Sequence, residues 1–250
     1  MSRPFTRLVS HLIIVCSLVS HSARCEINPD IKPLVNRFES RYRAVHTLQA
    51  TFLERYLENG HVARVEAGTA YFRRPGKMRW EYESPEKNLF LVDGKSAWFY
   101  VPADHTATRV PAKESTDWRT PLSLLAGEMK VSRVCAHVGA ALTEKPESPD
   151  DAVLFCELRG TESAQNKQGS QESSSQTAEG GEIAFFEIVK NSGELVRVLV
   201  QEPGGVGVEF HFANWRTNPP VADTLFRFAA PPGVAIVNGE LPHDNALMNQ

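Results

Sequence analysis

The stretch Lys77-Met78-Arg79-Trp80-Glu81-Tyr82-Glu83 decides the fold. Met78, Trp80 and Tyr82 point one way along an extended chain, and Lys77, Arg79, Glu81 and Glu83 point the other. A period of two marks an antiparallel strand with one dry and one wet face. The dry face is aromatic and no catalytic constellation accompanies it, so an apolar surface is expected to do the protein's work.

Reading outward from that strand, the chain stays β. Candidate strands run 48–58, 62–73, 77–83, 88–93, 96–101 and 105–110. Asn59-Gly60 and Asp93-Gly94 have the chemistry of tight hairpin turns, which forces antiparallel neighbours. Strands resume at 130–138, 152–159, 182–190, 194–202 and 206–215, and in the last of these Val208, Phe210 and Phe212 alternate with Glu209 and His211. Asp223 to Phe228 suggests a short helical turn, and the Pro231-Pro232-Gly233-Val234 segment leads into a final strand.

Two helical pieces interrupt this pattern. Ile31, Leu34, Val35, Phe38, Tyr42 and Val45 repeat at helical spacing, with Asp30 as the expected cap and Pro33 in the tolerated first turn. Thr120-Pro121 then opens a short greasy helix, Leu122 to Ala126, that Gly127 should stop. So short a helix must dock to be stable; it either plugs one end of a barrel or forms a movable cover. About eleven strands and two or three helices give a mainly β fold with an α lid: an incomplete antiparallel β-barrel covered by helices.

The ends and one insertion stand apart. Arg3 and Arg7 followed by the apolar run Leu8 to Val19 read as a secretory signal over 1–22, too short to span a bilayer. Cys25 lies just beyond, but Ser22 and Arg24 occupy the places where a lipid-anchor signal wants Leu and a small residue. Residues 28–238 are expected to form one domain. Between 160 and 181 the composition collapses to Ser, Gln, Glu, Gly and Ala, which predicts a disordered hairpin loop, and 239–250 a flexible tail. Cys135 and Cys156 lie in neighbouring candidate strands of an exported chain, where either a disulfide or two small buried hydrophobes would fit.

Much chemistry is excluded. With 27 basic and 30 acidic residues the formal charge is −3, and no basic run with interleaved aromatics points to nucleic acid. There is no zinc spacing and no nucleophile elbow. Gly204-Gly205-Val206-Gly207 precedes a strand rather than the helix N-terminus a phosphate site needs. Glu81 and Glu83 share a face with Lys77 and Arg79, which favours solvated ion pairs over acid–base catalysis. No enzyme activity, cofactor or metal is expected.

Phe72-Arg73-Arg74-Pro75-Gly76-Lys77-Met78-Arg79-Trp80-Glu81-Tyr82, Asp93-Gly94 and Trp98-Phe99-Tyr100-Val101-Pro102 resemble the periplasmic outer-membrane lipoprotein carriers of the LolA type. The order of elements agrees, with a first amphipathic helix, the Thr120 to Leu125 helix in mid-chain and Pro-Pro-Gly-Val near the end. The resemblance implies an apolar cavity that holds the acyl chains of lipoproteins between the inner and outer membranes. Its implied partners are acylated lipoproteins, an inner-membrane ABC transporter that releases them and an outer-membrane acceptor; the carrier itself is expected to be monomeric and periplasmic. Arg74 matches the arginine that latches the lid. Met78 matches a cavity position, Trp80, Trp98 and Tyr100 match aromatic framework positions, and Leu122 and Leu125 match the lid helix. Phe52, Tyr82, Phe210 and Phe212, together with Trp80, Trp98 and Tyr100, make up the expected apolar lining of the cavity, and Phe38 belongs to the helical cover. The sequence leaves open whether these aromatics pack a core or line a cavity. It equally leaves open a binding module for another lipid or glycolipid, or an envelope sensor domain, on the same fold.

Overall fold

The computed structural model describes residues 26–27, 29–113, 115, 119, 122–159, 182–201, 205–239 and 241. The expected signal segment, Cys25, the 160–181 loop, the Thr120-Pro121 helix start and the tail from 242 on lie outside them.

Thirteen strands form one sheet: Glu26–Ile27 (β1), Thr47–Glu58 (β2), His61–Arg73 (β3), Lys77–Ser84 (β4), Leu89–Val92 (β5), Ser96–Val101 (β6), Thr106–Pro111 (β7), Cys135–Ala140 (β8), Asp151–Leu158 (β9), Ile183–Val189 (β10), Leu195–Gln201 (β11), Val206–Thr217 (β12) and Ala235–Asn238 (β13). Across the sheet they run β1-β8-β9-β10-β11-β12-β2-β3-β4-β5-β6-β7-β13. The helices are Lys32–Arg43 (α1), Ser123–Ala126 (α2) and Val131–Val134 (α3). All pairings from β8 to β7 are antiparallel. Two short strands hem the edges and pair in parallel: the expected final strand, β13, on β7, and β1, which was not expected, on β8. An element of two residues carries too little alternation to be read from sequence.

Alternation along the strands sets which residues face inward. Leu48, Ala50, Phe52 and Tyr56 of β2, Phe72 of β3, Met78, Trp80 and Tyr82 of β4, Phe90 and Val92 of β5, Ala184 and Phe186 of β10 and Phe210 of β12 all join one core cluster, together with Phe38 and Tyr42 of α1 and Leu124 and Leu125 of α2. A sheet whose one face feeds a single core must curl around it. Its edges carry β1 and β13, which do not pair with each other, so the barrel is open. Gly68 in β3 sits at a register shift where a Cβ would lie 1.9 Å from the Glu81 carbonyl oxygen. Only glycine lets the two backbones approach so closely.

Several local expectations need correction. Asp30 falls in a 3-10 turn, Pro29–Ile31, and Ile31 takes the N-cap of α1 without a side-chain cap bond. The span expected as strand from 130 begins as the helical turn α3, whose first N–H, on Val131, donates to Glu39 Oε1 at 2.9 Å. That carboxylate supplies what a helix N-terminus lacks. The chain past 238 is not all loose, because Leu241 is buried in the main core. Cys135 and Cys156 are bonded, with Cα atoms 5.4 Å apart, and both lie fully buried.

Candidate functional site

The inner face is paved with aromatics in mutual contact. Trp80 lies at the centre, with ring centroids 4.9 Å from Phe52, 5.4 Å from Phe210, 5.7 Å from Phe72 and 6.0 Å from Phe212. Phe52 also meets Tyr82 edge-on at 5.1 Å. Where the sheet runs under α2, a cavity of about 230 Å³ remains, lined by Gly76, Met78, Phe90, Val92, Ala112, Ser115, Ser123 and Ala126. Sites for drug-sized ligands run to roughly 300–1,000 Å³, so this cavity is a starting volume.

Arg74, in the turn between β3 and β4, joins that cover to the rest. Its Nε donates to the Leu125 carbonyl of α2 at 3.4 Å and its Nη1 to the Arg43 carbonyl of α1 at 2.5 Å. One guanidinium thus serves the C-terminal ends of two helices, where a cation also meets the negative end of each dipole. Burial lowers its affinity for its proton somewhat. Next to it, the Gly76 N–H donates to the Ala126 carbonyl at 2.8 Å, so the turn holds α2 through backbone as well. Leu122, Leu124 and Leu125 are buried beneath. Phe38 is placed elsewhere: on α1, against Phe186 of β10 at 6.3 Å. The helical cover therefore has two parts, α2 over β3 and β4 and α1 over β10.

A polar cluster inside the barrel shares only Tyr82 with the expected site residues. Glu54 lies in phase with Phe52 and Tyr56 on the dry face of β2 and is fully buried. It accepts hydrogen bonds from Tyr56 at 2.6 Å, Tyr82 at 2.5 Å and Arg119 Nη2 at 3.4 Å. Arg119 donates through Nε to the Tyr82 hydroxyl at 2.9 Å, and its guanidinium lies 4.7 Å from the centre of the Phe90 ring, a cation–π contact. Burial pushes the Glu54 carboxyl up to about 7, against the pull of Arg119 and the two hydroxyls. Its one sequence signal is a charge at a dry position; the partner is 65 residues away.

Trp98 and Tyr100, expected at the cavity, face the other way. Their rings meet Phe228 on the outer surface, at 4.7 Å and 5.7 Å. In β6 the alternate set Ala97 and Phe99 faces the core. Both faces of β6 are apolar because residues 219–231 cross the outside of the sheet, so no polar set marks the wet side. Arg73 bonds Asp223 and Arg79 Nη1 donates to the Leu225 carbonyl at 3.0 Å, fixing this strap. Under it runs a groove of about 780 Å³ that includes Tyr71, Arg79, Tyr100, Arg216 and Arg227.

On the outer face of β12, Glu147, Glu209 and His211 come close enough to hold an ion. Arg55 already fills the place a cation would take, with Nη2 2.6 Å from Glu209 Oε2 and 2.5 Å from His211 Nε2. Burial raises Glu209, but hydrogen bonds from His211 and Arg197 and the charges of His211 and Arg55 outweigh it and hold the carboxyl at about 2. The arrangement is an ion-pair knot.

Residues 43–145 match the model of the family described as "Outer membrane lipoprotein carrier protein LolA". The outer-membrane lipoprotein carrier protein of Methylococcus capsulatus is 28% identical over 204 residues, covering 80% of this chain and 86% of its own. That of Nitrosomonas europaea is 26% identical over 238 residues, covering 93% and 98%. Among solved structures, an uncharacterized conserved protein from Thermus thermophilus aligns with 84% of this chain and 99% of its own at 13% identity, with a TM-score of 0.48. No helix among the described residues is long and apolar enough to cross a membrane.

Proposed function

Taking as premise that this is a LolA-type chain, with its domain match over residues 43–145, we propose that it is a periplasmic carrier of lipoproteins. It takes their acyl chains into the space between the curled sheet and its helices, and conveys them from an inner-membrane ABC transporter to an outer-membrane acceptor. The observation that carries this is an aromatic interior closed by α2, which a single arginine fastens through backbone carbonyls. Leaving acyl chains in water costs about 0.8 kcal/mol per methylene, so a carrier must hide them; it must also let go. A cover held by a few charge-assisted hydrogen bonds, each worth about 1–3 kcal/mol, meets both needs. Met78 and Phe90 at the cavity, with Phe52, Trp80, Tyr82, Phe210 and Phe212 behind them, are the surfaces an acyl chain would meet as α2 lifts. Arg74 is the latch.

The decisive experiment adds the purified mature protein to spheroplasts that retain newly made lipoproteins, then analyses the soluble fraction by native mass spectrometry. A stoichiometric complex with acylated lipoprotein is expected. A peptide-free lipid in the same position would make the protein a carrier of another lipid, and failure to take up any apolar molecule would leave the fold as a sensor or scaffold.

A further inference from the structure

The interior Glu54–Tyr82–Arg119 cluster has no part in a simple apolar container, where an ion pair costs desolvation and contributes little net stability. Its placement suggests a use. Arg119 immediately precedes the lid: the N–H of Leu122, the N-cap of α2, donates to the Arg119 carbonyl at 2.9 Å. The backbone of 119 therefore belongs to the first turn of the cover, while its side chain reaches past Phe90, which lines the cavity, to Tyr82 and Glu54 on the sheet.

We propose that Arg119 is a second clasp on the same lid, acting from inside the barrel, with Glu54 and Tyr82 as its catch. Arg74 holds the C-terminal end of α2 from the sheet; Arg119 holds the N-terminal end to the sheet. Lifting α2 must draw Arg119 out of the interior, which opens the space beside Phe90 and Trp80. This rests on the carrier reading only in making that movement the admission of cargo.

The catch has a chemical consequence. Around Glu54 stand Tyr56 from its own strand, Glu66 from β3, itself paired with Arg64, Tyr82 from β4 and Arg119 from the lid. Once Arg119 withdraws, Glu54 loses the cation that lowers its affinity for a proton and gains the water that burial denied it, so lid opening and Glu54 protonation are coupled and the lid responds to pH.

The test uses the full mature chain and two readouts: hydrogen exchange of the peptide covering 122–126, and the uptake rate of an apolar fluorescent probe, both from mildly acid to neutral pH. Arg119→Met should accelerate both about tenfold, the loss of one charge-assisted bond, while exchange in β10 and β11 stays put. Arg119→Lys should recover part of the effect. Glu54→Gln should flatten the pH dependence, and the double variant should go no further than Arg119→Met alone. Unchanged lid exchange, acceleration spread evenly over the sheet, or additive effects in the double variant would overturn the clasp. The spheroplast release assay is independent: lipoprotein left unreleased by the native protein sinks the carrier reading, whatever the lid does.

Discussion

On the carrier reading proposed above, single residues, Arg74 and Glu54, set the balance between holding and release. Arg74→Leu is expected to keep the sheet folded, as far-UV circular dichroism would record, and to weaken lid closure by about 1–3 kcal/mol. Apolar-probe uptake should rise accordingly; unchanged uptake would remove its latch role. Glu54 gives a pH signature of the opposite sense to most carboxylates. Held near 7 rather than 4.5, it keeps a proton in the folded protein that the unfolded chain has already released. Stability therefore falls as pH rises from 4.5 to about 7. Glu209, held at about 2, stabilises fully above 4.5 and loses that contribution as pH drops toward 2. Urea midpoints across these two windows measure both slopes, and in Glu54→Gln the upper one should disappear. Arg74 was legible in sequence through the motif around it. Glu54 was visible only as a charge out of keeping with its neighbours, and Arg119 not at all, since a pair 65 residues apart leaves no local pattern.

At the scale of elements, the hairpins were the most legible part, because each combines a period-two run with a turn that only certain residues can make. Asn59 and Gly60 both take positive φ, as an Asn-Gly hairpin turn requires. The register inside β6 was not legible: Trp98 and Tyr100 have an apolar partner outside, and a strand with apolar side chains on both faces has no polar side to orient it. α3 was hidden because one helical turn of Val-Ser-Arg-Val owes its form to the Glu39 carboxylate from a distant helix. Two elements are open to direct test. The bond between Cys135 and Cys156 closes a loop of separation 21, so replacing both by Ala should cost about 3 kcal/mol in urea unfolding. Gly68→Ala pushes a methyl into the Glu81 carbonyl, and a loss of about 1–3 kcal/mol or more is expected; a neutral effect would mean β3 and β4 can slide apart at low cost.

For the molecule as a whole, the carrier reading and a filled interior with a small cavity together make binding and opening one event. Uptake of an acyl chain should show a negative heat-capacity change in calorimetry, larger than the resting cavity of about 230 Å³ would allow, as the aromatic lining exchanges its own contacts for those of the cargo. The open barrel also leaves two sheet edges, and short strands from near opposite ends of the chain hem them: Glu26–Ile27 along β8 and Ala235–Asn238 along β7. Bare edges are templates for intermolecular pairing. The second hem closes only when residues 235–238 dock, so a chain in which they are undocked carries β7 as a bare edge open to self-association.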